Sequence, residues 1–245
     1  MIAAQRLRLV LLPGLNGSDR LFEPLLPWLN PQLTAQALSL PQQGPQNHQQ
    51  LAEELLSQLG ETPFVLLGES FSGALAYHLG IHKPPGLRGL IFAASFLQRP
   101  QPLLRRLPQY ALPLPISLLT NTWLLKTFCI GKHASAELVD LLRTEIRCME
   151  KSLLWTRLFS LAQLQQPLLR LELPALQLLA KHDRLVSQQA SSSLRLHCND
   201  LQQVTITGPH FLLQSQPEAC AHAINRFIAG LATQQIELLP AQGFF

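Results

Sequence analysis

With 245 residues, 47% of them hydrophobic and only 14% charged, the chain can bury a sizeable single core and is far from a disordered composition. The formal charge of +4 is modest and the basic residues are not interleaved with aromatics, which argues against a nucleic-acid surface and leaves only weak attraction to anionic partners. Cys129, Cys148, Cys198 and Cys220 lie far apart with no Cys-x-x-Cys pair, so a zinc site, an iron–sulfur site and a dense disulfide framework are all disfavoured and free buried thiols are expected.

In chain order, the apolar run from Leu7 is preceded only by residues 1–6 and ends in the turn Pro13-Gly14 rather than at a small-residue cleavage site. It reads as a strand, not a signal peptide. Apolar runs at 7–12, 33–40, 63–68, 87–94, 175–180 and 201–206, most of them short and continuous rather than alternating, carry the pattern of strands buried on both faces of a parallel sheet. Between them, 21–29, 51–59, 70–79, 187–196 and 217–231 carry helical spacing, with Gly60 a natural stop for the second. The alternation predicts a mostly parallel, doubly wound α/β sheet of about six strands. The glutamine-rich segment 42–50 reads as a surface loop.

From about Phe96 to Pro167 the strand–helix rhythm stops and proline-punctuated helical spacing replaces it, with Leu138, Leu142, Ile146 and Met149 on one face. The expected division is therefore a core of residues 1–95 and 168–245 and a helical cap inserted at 96–167, since an unstructured connection of that length is improbable. Pro113 and Pro115 break the apolar stretch 112–125 too early for a membrane span, so a soluble, cytoplasmic protein is expected. Ser215-Gln216-Pro217-Glu218 offers an N-cap at Ser215, a capping-box Glu218 and a first-turn proline for the last helix. That makes 208–213 the loop joining the last strand to it. The tail after Ala232, ending in Gly243-Phe244-Phe245, carries no signal of its own.

The chemistry centres on Gly68-Glu69-Ser70-Phe71-Ser72-Gly73, where a strand runs straight into a serine with small residues two places to either side. Ser72, between Ser70 and Ala74, meets the same spacing rule, but Ser70 directly follows the strand whereas Ser72 would fall inside the next helix. A serine hydroxyl is a weak nucleophile at neutral pH and needs a histidine to take its proton and a carboxylate to orient that histidine. Sites in open α/β sheets form at the carboxyl ends of strands. Asp183 lies just past the fifth run and His210 just past the sixth.

Through Leu12-Pro13-Gly14-Leu15-Asn16-Gly17, Gly68-Glu69-Ser70-Phe71-Ser72-Gly73, Asp183-Arg184-Leu185-Val186 and Gly208-Pro209-His210-Phe211, the chain resembles the α/β-hydrolase superfamily over nearly its whole length. The resemblance implies Ser70 as nucleophile, Asp183 as acid, His210 as base, and the backbone N–H groups of Leu15 and Phe71 as the oxyanion hole. Two departures stand out: Pro13-Gly14 replaces the usual His-Gly, and Ser72 replaces the usual glycine. Backbone donors depend on loop shape more than on the side chain before the glycine.

These residues predict a serine hydrolase acting on an ester or thioester with an apolar acyl group, through an acyl-enzyme and with no metal or organic cofactor. Capped members of this size that resemble the chain include carboxylesterases, acyl-carrier-protein methyl ester esterases, C–C bond hydrolases and menaquinone-pathway lyases, and the triad does not separate them. A reading from another class is a ligand-binding or signalling protein that keeps the fold with little turnover, against which an intact triad argues. Leu118, Leu119, Trp123, Leu124, Phe128, Leu153, Leu154, Trp155 and Phe159 would line an acyl pocket if they face inward, although helix packing explains them equally well. Arg143, Arg147 and Lys151, four apart, form a basic stripe that could dock an acidic carrier protein or simply be a solvated helix face. His78 and His82 are four apart with no third ligand following, which favours packing over metal binding.

Overall fold

Strands that are apolar on both faces can be buried only when helices cover the sheet on both sides, and that is the arrangement four of the six runs adopt, whereas the two edge runs, Thr34–Ala37 and Leu201–Ile206, stay partly exposed. The computed structural model describes residues 7–106 and 116–237. Strands β1 (Arg8–Leu12), β2 (Thr34–Ala37), β3 (Phe64–Glu69), β4 (Leu87–Ala93), β5 (Ala175–Ala180) and β6 (Leu201–Ile206) form one sheet in the order β2-β1-β3-β4-β5-β6, every neighbouring pair parallel. Successive residues point to opposite faces. Val10, Leu12, Leu66 and Phe92 therefore pack under α1 (His48–Leu59) and α2 (Ser72–His82), while Leu9, Leu11, Val65 and Ile91 join Phe22, Leu25 and the last helix.

The register brings the strand ends level. Leu12 pairs with Gly68, Glu69 with Ala93, Ala93 with Leu178 and Ala180 with Ile206. The loops that follow β1, β3, β5 and β6 thus emerge on one edge of the sheet. Strand order reverses between β1 and β3, so the chain leaving β1 and the chain leaving β3 turn to opposite sides and leave a crevice between them.

Between β4 and β5 the described residues form helices and no strand. These are α3 (Ile116–Leu119), α4 (Thr122–Leu124), a π-helical turn at Leu125–Ile130, α5 (Ala136–Cys148) and α6 (Lys151–Gln163). After β5 come α7 (Gln188–Ser191) and α8 (Ser193–His197), and after β6 come α9 (Leu212–Ser215) and α10 (Pro217–Glu237). Among the described residues no helix is long and apolar enough to cross a membrane. Residues 1–6, the Pro113 and Pro115 interruptions and the Gly243-Phe244-Phe245 tail lie outside the described residues.

Several local expectations are corrected. The helix expected at 21–29 is two 3-10 turns, Asp19–Phe22 and Leu26–Trp28, because Pro24 and Pro27 each lack the N–H that a continuous helix would use. The helix expected at 187–196 is divided at Ser192, where the hydroxyls of Ser191 and Ser192 both donate to the Gln188 carbonyl in competition with the helix ladder. Ser215 does not cap the last helix. It ends α9, its hydroxyl donating to the Phe211 carbonyl at 2.7 Å, and the Gln216 carbonyl accepts the first helical bond, from Cys220 N–H. Residues 208–213 are therefore not all loop. Of the four free cysteines, Cys198 and Cys220 are buried, Cys129 is half-buried and Cys148 is exposed. Burial pushes the Cys129, Cys198 and Cys220 thiols up to about 12, which keeps them protonated and unreactive.

Candidate active site

Ser70 takes the first position after β3 with φ of 48°, a left-handed conformation that non-glycine residues rarely adopt. Its N–H donates to Ala93 O at 2.9 Å and its carbonyl accepts Gly73 N–H at 3.0 Å, so both neighbours of the bend are tied down. The bend folds α2 back over β3. A Cβ at Gly68 would lie 2.4 Å from the Ser72 carbonyl oxygen and 2.9 Å from Ala76 Cβ, which explains why only glycine fits there. Gly68→Ala is expected to cost about 1–3 kcal/mol, because backbone and not a flexible side chain must move. Urea unfolding checks this, and a midpoint unchanged from wild type would show that the bend tolerates the methyl group.

His210 and Asp183 approach from the loops after β6 and β5. Ser70 Oγ lies 2.8 Å from His210 Nε2, and His210 Nδ1 lies 2.8 Å from Asp183 Oδ2. The other carboxylate oxygen, Oδ1, accepts Leu185 N–H and Val186 N–H, both at 2.9 Å, which fixes the plane of the carboxylate. The side chains of His210 and Asp183 are 6% and 13% exposed, so this chain of hydrogen bonds is largely sheltered from water. Phe211 N–H donates to Cys129 O at 3.0 Å, which ties the histidine loop to the π-helical turn of the β4–β5 segment.

Leu15 and Phe71 flank Ser70 from the loops after β1 and β3. No acceptor among the described residues takes the N–H of either one. The serine that competed with Ser70 has other work. Ser72 is fully buried, and its hydroxyl donates to Pro13 O at 2.5 Å, with no histidine in reach. It stitches α2 to the loop after β1.

Three further polar residues of this region are not among those the sequence singles out. Glu69 is buried at the end of β3, where burial pushes its carboxyl upward, and it accepts a 2.9 Å bond from Gln214 Nε2 on α9. His48 is buried against Phe71, ring centroids 4.4 Å apart, and burial holds it neutral by lowering its pKa to about 3. Arg157 on α6 is fully buried. A signal for it existed: Leu153, Arg157 and Leu161 follow at four-residue intervals, which puts the guanidinium on the apolar stripe of the helix.

Ser70, His210 and Leu15 open into a cavity of about 390 Å³ with almost wholly apolar walls. Leu142 and Ile146 from α5, Met149 just past its end, and Leu154, Leu158 and Leu161 from α6 supply much of its lining. Of the apolar residues the sequence singles out for such a pocket, Leu119 and Leu154 line it, whereas Trp123, Leu118 and Phe128 are 68%, 49% and 38% exposed. The basic stripe does not form as one face. The α5 helix ends at Cys148 and Lys151 begins α6, while Arg143 is occupied by Asp140 Oδ1 at 2.7 Å, Thr120 O and Thr122 Oγ1. Among the described residues no group of three or more His, Cys, Asp or Glu is placed to hold a metal ion.

Comparison with known proteins agrees with this architecture. A hydrolase from Pseudomonas aeruginosa PA01 has a similar structure at 18% sequence identity and a TM-score of 0.75, over 92% of this chain and 91% of that one. A thermophilic esterase from Thermogutta terrifontis is similar at 18% identity and a TM-score of 0.75, over 92% and 90%. YbtT, a type II thioesterase from the yersiniabactin biosynthetic pathway, is similar at 20% identity and a TM-score of 0.67, over 94% and 95%. None of the curated protein sequences is a significant match. The model of the alpha/beta hydrolase family matches residues 9–223, and the chain belongs to that family.

Proposed function

We propose that the protein is a serine hydrolase that cleaves a carboxylic ester or thioester carrying an apolar acyl group. The observation that carries this reading is the Ser70–His210–Asp183 hydrogen-bond chain opening into an apolar cavity. Ser70 Oγ attacks the acyl carbon while His210 Nε2 takes its proton, and the Leu15 and Phe71 N–H groups receive the oxygen that becomes negative. Collapse of the tetrahedral species breaks the bond to the alcohol or thiol, which leaves with the proton from His210. Water then attacks the acyl-serine by the same route, and the acid departs. Asp183 holds Nδ1–H throughout, which keeps Nε2 free to accept.

In this reading residues 96–167 act as a cap over a core of 1–95 and 168–245, and the cap decides the substrate. The similarity to an esterase and to a type II thioesterase supports both leaving groups equally. Delivery of the acyl group by an acidic carrier protein is a narrower version of the proposal. The exposed Arg147 and Lys151, on either side of the break between α5 and α6, are what would meet it. Free thiols suit a reducing, cytoplasmic setting.

A fluorophosphonate probe is expected to label the purified protein at Ser70, and absence of labelling would leave the ligand-binding alternative standing. Across a p-nitrophenyl ester series, each methylene buried in the cavity should raise kcat/KM by about fourfold, from ~0.8 kcal/mol of transfer free energy, until the cavity is filled. A profile that is flat or falls from the shortest ester would sink the apolar-acyl assignment.

A further inference from the structure

A guanidinium cannot lose its charge at neutral pH, so burying one without a counter-ion is costly and replacement by an apolar residue of similar size is often neutral or better. Arg157 is such a case. It is 0% exposed, and among the described residues no carboxylate pairs with it. Its fork is spent on neutral acceptors instead: Nε on Gln46 Oε1 at 2.9 Å, Nη1 on Leu15 O at 2.9 Å and Nη2 on Pro41 O at 2.8 Å. Its Cζ lies 5.9 Å from the centroid of the Phe71 ring. Leu15 and Phe71 are the two residues whose N–H groups, unpaired among the described residues, the proposed mechanism uses to receive the oxyanion.

The loop after β1 is built to match. Pro13 O accepts from Ser72 Oγ, Gly14 O from Gly17 N–H at 3.0 Å, and Leu15 O from Arg157. A trans peptide points its C=O and N–H in opposite directions, so fixing Gly14 O aims the Leu15 N–H away from the turn. Fixing Leu15 O as well locks the peptide on the other side of Leu15 and removes the freedom of that N–H to swing. Gly17, at φ of 75°, leaves room for this contact, since a Cβ there would lie 2.2 Å from Arg157 Nη1.

We propose that Arg157 is a positioning residue of the oxyanion hole: its buried guanidinium holds the Leu15 carbonyl and lies against Phe71 so that both N–H groups stay aimed, and its fixed charge favours the oxyanion. The inference rests on the serine-hydrolase reading. A simple tether between α6 and the core would also use these bonds, but it would lower stability when lost without acting on the chemical step.

The test compares wild type with Arg157→Met and Arg157→Lys on one p-nitrophenyl ester, together with thermal melting and the affinity of an alkyl boronic acid, which forms a tetrahedral adduct on the serine. Arg157→Met should lower kcat by about 10–100-fold with KM changed by no more than about threefold, and should weaken the boronate in step with kcat/KM. Arg157→Lys should recover part of the loss, because an ammonium still donates to one carbonyl. If Arg157→Met fails to fold, Arg157→Lys carries the comparison, along with Arg157→Gly assayed with and without added guanidinium. Restored kcat at an unchanged melting temperature supports the proposal. Folded variants that keep kcat and boronate affinity within about twofold overturn it, however far melting falls. Wild type that is neither labelled by a fluorophosphonate nor active would overturn the serine-hydrolase reading and this inference together, whereas labelled wild type with unaffected variants overturns this inference alone.

Discussion

Ser70→Ala is expected to lower kcat by about 10⁶-fold and to abolish fluorophosphonate labelling, because among the described residues no other hydroxyl is hydrogen-bonded to His210 Nε2. The residual rate should still exceed the uncatalysed one by about 10³-fold, since the Leu15 and Phe71 donors remain. Melting should hardly change, for among the described residues the Ser70 side chain bonds only to the histidine. Ser72→Ala makes the informative comparison. It removes the bond to Pro13 O and loosens the loop that carries Leu15, so a loss of about tenfold with labelling intact is expected. If Ser72→Ala instead proved unlabelled and Ser70→Ala labelled, the assignment of the nucleophile would be reversed.

Asp183→Asn should cost about 10⁴-fold in kcat/KM although it is nearly isosteric. The reason is directional. Leu185 N–H and Val186 N–H both donate to Oδ1, and in the asparagine they keep the carboxamide oxygen on their side. The NH₂ then faces His210 Nδ1, which must become an acceptor and move its proton to Nε2. A protonated Nε2 cannot take the proton of Ser70. Steady-state kinetics on the same ester, with melting as a control, decide the matter, and a variant within about tenfold of wild type would remove Asp183 from the mechanism.

The fold was legible because its four interior strands are buried on both faces and so read as mostly unbroken apolar runs, and because Gly60 and the Pro13-Gly14 turn mark where elements stop. The positions of Ser70, Asp183 and His210 just after strands were legible for the same reason, and the register of the sheet brings those loops to one edge. What escaped depends on contacts between distant segments. The break between α5 and α6 falls at Met149 and Glu150, neither a glycine nor a proline, so a single helix carrying Arg143, Arg147 and Lys151 was the natural reading. Which apolar residues of that segment face inward follows from the docking of α6, which no local pattern encodes. The spacing on α6 places Arg157 on an apolar stripe, but what satisfies it there is not local, because its acceptors at Leu15 and Pro41 lie more than a hundred residues away.

The parallel order of the strands also divides the site by local stability. Ser70 and the loop bearing Leu15 leave β3 and β1, adjacent interior strands whose apolar residues are fully covered. His210 leaves β6, the edge strand, exposed through its middle, and its loop leans on Cys129 of the inserted segment. Local opening starts at edges and at lightly covered elements. Fraying of that edge is therefore expected to withdraw His210 while Ser70 and the loop bearing Leu15 stay in place, so that under mild heat or denaturant any activity that needs all three is expected to be lost, reversibly, before the sheet itself.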